Sequence, residues 1–383
     1  MSVKNAVGLD IGSSSVKVVQ IRKMGKGYLV EKIGVAEIYP GGDRSAGRDR
    51  ERTLKVQAIK RALDEARIKA KFAITALSGE SIIVRYIQMP AMPEEDLKNA
   101  VRYSAEEYIP YSIEEVNVDA AILGKSAEGA GDYDVLLVSA KKDLVDDHIS
   151  IVNEAGLTPV VVDLDSFAFV NCYEINYQPA PDQVIALVNI GAGITNINIY
   201  QGLTSRFSRD IAIAGDTITS DLQSRLGLSF TDAEQLKIAV GLPVDEEVKP
   251  ESPAPGGSLV DTIRGTVDKM TREELEEDST EAVAGRVIRN SLNNIINEVR
   301  RSVQFFENQP KGKTVKKLVL GGGTASLKGL VPYFQQQIGL PVEIIDPFNR
   351  LSTASREVSG SSFSKNKEAL AVGIGLALRK VVD

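Results

Sequence analysis

Asp10 and Lys17 flank a run of small residues, Gly12, Ser13, Ser14 and Ser15, and together these could hold a phosphate chain. The Asp10 carboxylate is a hard oxygen donor suited to a hydrated divalent cation, and the Lys17 ammonium is a point charge that can reach a phosphate oxygen. Between them, Gly12 to Ser15 offer backbone amides and hydroxyls with nothing bulky in the way, a good shape for wrapping an anion. A similar run recurs at Asn189, Gly191, Ala192 and Gly193. A third cluster, Gly321, Gly322, Gly323 and Thr324, continues into Ala325 and Ser326.

These residues need rigid elements to carry them. Val7, Leu9 and Ile11 lead into the first turn, and Val16, Val18, Val19 and Ile21 leave it, an alternation that predicts a β-hairpin. Residues 184–200 repeat the order strand, tight glycine turn, strand. Lys317 to Leu320 reads as a strand into the third cluster, with a helical stretch from Leu327. Plain tight turns would also look like this singly. Two hairpins of one design predict instead a duplicated fold that grips a nucleotide between its halves. Neither turn matches GxxxxGK[ST], and no GxGxxG opens a helix after the first strand, so the site is neither a P-loop nor a Rossmann fingerprint.

The 383 residues, 43% hydrophobic, can bury a sizeable core in two or more units. A net charge of −7 gives nucleic acid no reason to bind. The single Cys172 and single His148 cannot build a disulfide framework or a zinc site. They also fall on separate segments, one apolar and one charged, and read as a buried thiol and a surface imidazole in a reducing cytoplasm. No signal peptide opens the chain and no apolar run is long enough to span or insert in a membrane. Gly373 and Gly375 in the apolar stretch 369–382 predict a helix packed closely on a neighbour.

Strands continue through Tyr28 to Ile38, a solvated loop covers Gly41 to Arg52, a helix runs from Leu54 to Ala66, and Phe72 to Leu77 returns as a strand. Residues 81–161 read as an inserted β-α-β-β-α-β module that offers a surface for a protein ligand. Helices are expected over 165–177, 215–226 and 231–239. Residues 241–280 are Pro-rich and acidic, with Asp245-Glu246-Glu247 and a second run from Glu273 to Asp278, and read as a solvated excursion. The stripe from Val283 to Phe306 predicts a long core-facing helix in which Phe305 and Phe306 are packing groups. A last helix covers 368–378.

In this order, the two hairpins, the GGG turn and the glycine-containing last helix resemble the actin/Hsp70/sugar-kinase superfamily over nearly the full length. The 81–161 insert resembles subdomain 1C of the FtsA branch. The opening VGLDIGSSSVKVVQI, the entry Asp163-Leu164-Asp165-Ser166-Phe167-Ala168 and the Ile288-Arg289 to Phe306 stretch resemble the PilM family of type IV pilus proteins.

The resemblance implies an α/β, ribonuclease H-like duplicated fold. Subdomain 1A would be 1–80, completed by 162–183 and 360–383, and 1C would be 81–161. Subdomain 2A would take 184–213 and 313–359, and 2B would take 214–312. It also implies ATP with Mg²⁺ in the cleft. Asp10, Gly12, Ser13, Ser14, Ser15 and Lys17 would form the first phosphate loop, with Asp10 near the metal through water. Asn189, Gly191, Ala192 and Gly193 would form the second. Gly321, Gly322, Gly323 and Thr324 would meet the adenosine. Gly215, Asp216, Glu234 and Lys237 would meet the ribose, the last two sharing a helix face.

The implied partner is the cytoplasmic N-terminal tail of PilN, in a groove between 1A and 1C near residues 81–107, with the pilus motor ATPase and other platform proteins as further contacts. The implied location is the cytoplasm, beside the inner membrane through partners. Asn189 stands where much of the superfamily has an Asp, and actin's water-orienting glutamine has no counterpart other than Asp163 or Asp165, of which Asp165 is the catalytic candidate. Slow or absent turnover is therefore expected. An FtsA-like filament protein and a sugar kinase of the same fold are the alternatives.

Overall fold

Alternating apolar residues at one end of the chain and again in its middle produce two sheets of the same design. The computed structural model describes residues 6–42, 44, 47–126, 131–202, 204–242, 279–309, 312–354 and 366–379. The acidic stretch at 243–278 lies outside them, so the reading of that excursion is carried by sequence alone.

The first half opens with β1 (Ala6–Ile11), β2 (Ser15–Met24) and β3 (Gly27–Glu37), then α1 (Arg48–Glu65) and β4 (Phe72–Leu77). Val7, Leu9, Val16 and Val18 have no exposed surface, which is why the hairpin forms a buried face. Helix α1 begins at Arg48, so the loop expected over Gly41 to Arg52 is shorter than its polarity suggested. Its apolar residues Val56, Ile59 and Ala62 lie buried against the sheet.

An insertion follows: β5 (Ile82–Pro90), α2 (Glu94–Ser104), β6 (Val116–Lys125), β7 (Asp132–Lys141) and α3 (Lys142–Glu154). Then come β8 (Thr158–Leu164) and α4 (Asp165–Tyr177). The inserted sheet has three strands in the order β5-β7-β6. The expected closing strand of the module, β8, instead pairs in parallel with β4 in the main sheet. Helix α3 belongs there too, since Ile151 and Val152 pack with Val56 and Ile59 of α1. An insert of this kind looks longer in sequence than it is in space, because its return path crosses the parent sheet.

The second half has β9 (Val184–Ile190), β10 (Thr195–Gln201), β11 (Thr204–Ile211), α5 (Gly215–Leu226), α6 (Phe230–Val240) and α7 (Thr280–Glu307). It continues with β12 (Lys317–Gly321), α8 (Leu330–Ile338), β13 (Val342–Ile344), β14 (Ser352–Thr353) and α9 (Ala371–Leu378). The large sheets run β14-β3-β2-β1-β4-β8 and β11-β10-β9-β12-β13. Each is an antiparallel three-stranded meander whose first strand pairs in parallel with the next. This is the duplicated α/β architecture that the sequence leads one to expect.

Helices α4 and α9 pack on each other in a core shared by residues of both sheets. Contact is closest at Gly375, where a Cβ would lie 1.7 Å from the Ala168 carbonyl oxygen, the close packing that Gly375 predicts. Helix α7 presents Ile288, Leu292, Ile295, Ile296, Val299 and Phe306 to the second-half core. Phe305 departs from the expected packing role: it is 60% exposed. The helical period turns it a full step away from Phe306.

Candidate functional site: a cleft between two equivalent hairpins

The two turns are built alike. The Gly12 amide donates to the Ser15 carbonyl at 3.1 Å, and the Gly191 amide donates to the Ile194 carbonyl at 3.0 Å. At the same point of each hairpin stands a cross-strand pair. In the first half Asp10 faces Lys17, with Nζ 3.3 Å from the carboxylate. In the second half Asn189 faces Asn196, and its amide donates to the Asn196 oxygen at 2.8 Å. One hairpin therefore carries opposite charges and the other a neutral amide pair. The turns approach closely: a Cβ on Gly193 would lie 2.5 Å from Ser13 Oγ.

The second half clamps its own loops. Lys237 Nζ donates to Glu234 at 2.6 Å, to Thr219 Oγ1 at 3.0 Å and to the Gly215 carbonyl at 3.1 Å. The Gly215 amide donates to the Gly191 carbonyl at 3.1 Å, and the Asp216 amide to the Ala192 carbonyl at 2.7 Å. Thr324 Oγ1 donates to the same Gly191 carbonyl at 2.8 Å. The GGG turn, the second hairpin and the α5 entry are thus tied together before any ligand arrives.

A cleft of about 1380 Å³ lies between the halves. Asp10, Gly12, Ser13, Ser14, Ser15 and Lys17 line one wall, and Asn189, Gly191, Ala192 and Gly193 the facing one. Gly215, Asp216, Glu234, Lys237, Gly322, Gly323 and Thr324 also line it, as does Asp165. Gly321 stands behind the wall, where a Cβ would lie 2.3 Å from the Phe169 ring, so its small size serves packing.

Asp165 occupies the first turn of α4. Loss of hydration, and then the Asp10 charge, push its carboxyl up to about 7, against a hydrogen bond from Ser78 and the Lys17 charge. A carboxyl raised in this direction and facing the cleft has the character of a general base. Asp163 is removed from the cleft: it accepts from the Leu164 amide at 2.8 Å and pairs with Arg379. Of the two carboxylates left open by the sequence, Asp165 is the one on the cleft. His148 also departs from expectation. It is not a surface group, because its Nε2 lies 2.8 Å from Thr75 Oγ1, whose own proton goes to the Leu9 carbonyl. Burial, with Lys55 nearby, pushes it down to about 4.

Sequence reasoning missed three residues here. Asp210 accepts from Asn196 Nδ2 and from the Gly79 amide, both at 2.8 Å, and burial raises its carboxyl. Its signal was an acid on an inward position of β11. Ser78 follows β4 and gave no signal. Arg44, read as part of a solvated loop, pairs with Asp216 of the second half and lies 4.3 Å from the Phe230 ring centroid. It bridges the mouth of the cleft.

This arrangement suits a polyphosphate: two facing turns of amides and hydroxyls, with Lys17 on one side and the Lys237–Glu234 pair on the other. Among the described residues, no group of three or more His, Cys, Asp or Glu side chains could hold a metal. Asp10 fits a Mg²⁺ whose remaining ligands are water and phosphate oxygens.

Comparison with known proteins agrees with this architecture. The family model for type IV pilus assembly protein PilM matches residues 8–253 and 259–381. The cell division protein FtsA of Escherichia coli K12 is 26% identical over 378 residues, covering 90% of this chain and 85% of that one. FtsA of Pseudomonas aeruginosa is 24% identical, covering 91% and 84%. Among solved structures, the PilM-PilN type IV pilus biogenesis complex superposes with a TM-score of 0.77 at 26% identity, over 100% of both chains. MreB5 of Spiroplasma citri bound to AMPPNP shares the fold, with a TM-score of 0.50 at 14% identity over 97% of this chain and 94% of that one.

Proposed function

The chain belongs to the PilM family of type IV pilus assembly proteins, and we propose that within pilus assembly it is an ATP-binding scaffold with slow or no turnover. The observation that carries this reading is the asymmetry of the two hairpins. Asp10 and Lys17 supply a carboxylate and an ammonium at the phosphate end, whereas the equivalent pair Asn189 and Asn196 is neutral. Mg²⁺ held through Asp10 would neutralise phosphate charge; the matching pair of the second hairpin offers no charged group to organise its waters. Binding is supported, and fast hydrolysis is not.

In this reading Gly12 to Ser15 and Gly191 to Gly193 wrap the phosphates, Glu234 and Lys237 meet the ribose, and Gly322 to Thr324 meet the adenosine. Asp165 orients or deprotonates water in whatever turnover occurs. The N-terminal tail of PilN docks in extended form between the first-half core and the insert, with β5 and α2 as the contact region. The similarity to the PilM-PilN complex supports that partner. The scaffold would then couple the inner-membrane platform to the motor ATPase from the cytoplasmic side. Among the described residues no helix is long and apolar enough to cross a membrane.

Binding of a fluorescent ATP analogue with Mg²⁺ tests the nucleotide half of this reading. Lys17→Ala should weaken it roughly 10- to 100-fold, the scale of one charge-assisted contact. Phosphate release at ~1 s⁻¹ or faster, the rate of a working kinase, would contradict the slow-turnover reading.

A further inference from the structure

A second groove, of about 1110 Å³, lies away from the cleft, where β5 of the insert faces β11 and the C-terminal half of α7. Its walls are two sheet edges. Among the described residues β5 forms a ladder only with β7, and β11 only with β10, so each has an outer edge without a strand partner. Tyr86 Oη and Ser205 Oγ, 2.5 Å apart, join the edges across the floor.

The lining is strongly basic in a chain of net charge −7. Among the described residues, Arg85, Lys125, Arg206, Arg209, Arg301 and Lys313 line it, against the one carboxylate of Asp134. Arg206 pairs with Asp134 at 3.2 Å, and Arg209 and Arg301 share Glu298 at 3.1 and 2.6 Å. Positive charge therefore remains in excess. An apolar anchor stands among these cations: Phe305, 60% exposed, with its ring centroid 5.8 Å from that of Phe207.

We propose that this groove docks an extended acidic segment of a protein partner. Its carboxylates would meet the arginines, its backbone would run beside the open strand edges, and an aromatic or aliphatic side chain would sit against Phe305. The groove shares β5 with the proposed PilN contact, but its other wall, β11 and α7, belongs to the second half, so the inference does not depend on the PilN docking.

Short random peptides displayed on phage, selected on the full chain and counter-selected on an Arg301→Glu, Phe305→Ala double variant, provide the test. Both substituted side chains are largely exposed, so the variant keeps its fold, and binding of the ATP analogue at the cleft serves as the check. The expected result is enrichment of peptides with several Asp or Glu around an aromatic or aliphatic residue. A synthetic copy of such a peptide should bind the intact chain and lose roughly tenfold or more in affinity on either single substitution. Enrichment of neutral or basic peptides, or equal binding to the variant, would overturn the proposal. Two further results would overturn it by naming another occupant. Binding of acidic peptides only after deletion of 243–278 would assign the groove to the chain's own acidic runs. Conversion of a dimer into a monomer by the double variant would assign it to a second copy.

Discussion

Asp165 and His148 show how position alone sets the chemistry of a side chain. Between the ordinary carboxyl value near 4 and its folded value of about 7, Asp165 holds a proton that the unfolded chain has released. Its contribution therefore lowers stability as pH rises through that window. Asp165→Asn should raise Tm by roughly 2 °C or more above pH ~7 and leave it little changed near pH ~4, as scanning calorimetry would show. Any slow hydrolysis should disappear in the same variant.

His148 has the opposite sign. Its imidazole, held neutral down to about 4 in the fold, is protonated below ~6.5 once unfolded, so its contribution is lost as pH falls through that range. His148→Gln, which can still donate to Thr75, should flatten this acid-side loss of stability in denaturant titrations across pH. At this scale the sequence was half legible. Asp10, Lys17 and the glycine turns announced themselves through local spacing. Asp210, Ser78 and Arg44 reach the site, or its neighbouring network, through strand pairing and a loop crossing that no local pattern encodes.

At the scale of elements, alternation and glycine placement carried most of the information. The hairpins, the long helix and the close-packed last helix follow from period-two and period-3.6 patterns. Gly375 illustrates the consequence: Gly375→Ala places a methyl against the Ala168 carbonyl and should cost about 1–3 kcal/mol or more in urea unfolding. What the pattern could not give was the parent of β8, because a strand of seven residues carries no label for the sheet that it joins. The insert's own sheet consequently stops at β7. The PilN docking region proposed along β5 and α2 rests on a three-stranded unit held to the first half by α3 and β8.

At the scale of the whole molecule, the contacts between the halves include α4 and α9, the Gly79 amide on Asp210 and, across the mouth of the cleft, Arg44. Its pairing with Asp216 and stacking over Phe230 tie a first-half loop to the second half. Arg44→Ala should speed release of the ATP analogue several-fold in stopped-flow chase experiments. The phosphate contacts proposed for Lys17 should remain, since that substitution opens the mouth without altering the hairpins.

The same bridge offers a route by which nucleotide could alter the relative placement of the halves, and with it the face presented to the pilus platform. Calorimetric titration of the full chain with a PilN N-terminal peptide, with and without Mg·ATP, tests the scaffold most directly. Binding in the micromolar range or tighter, with an affinity that shifts when Mg·ATP is present, is the predicted result. No binding in either nucleotide state would contradict it.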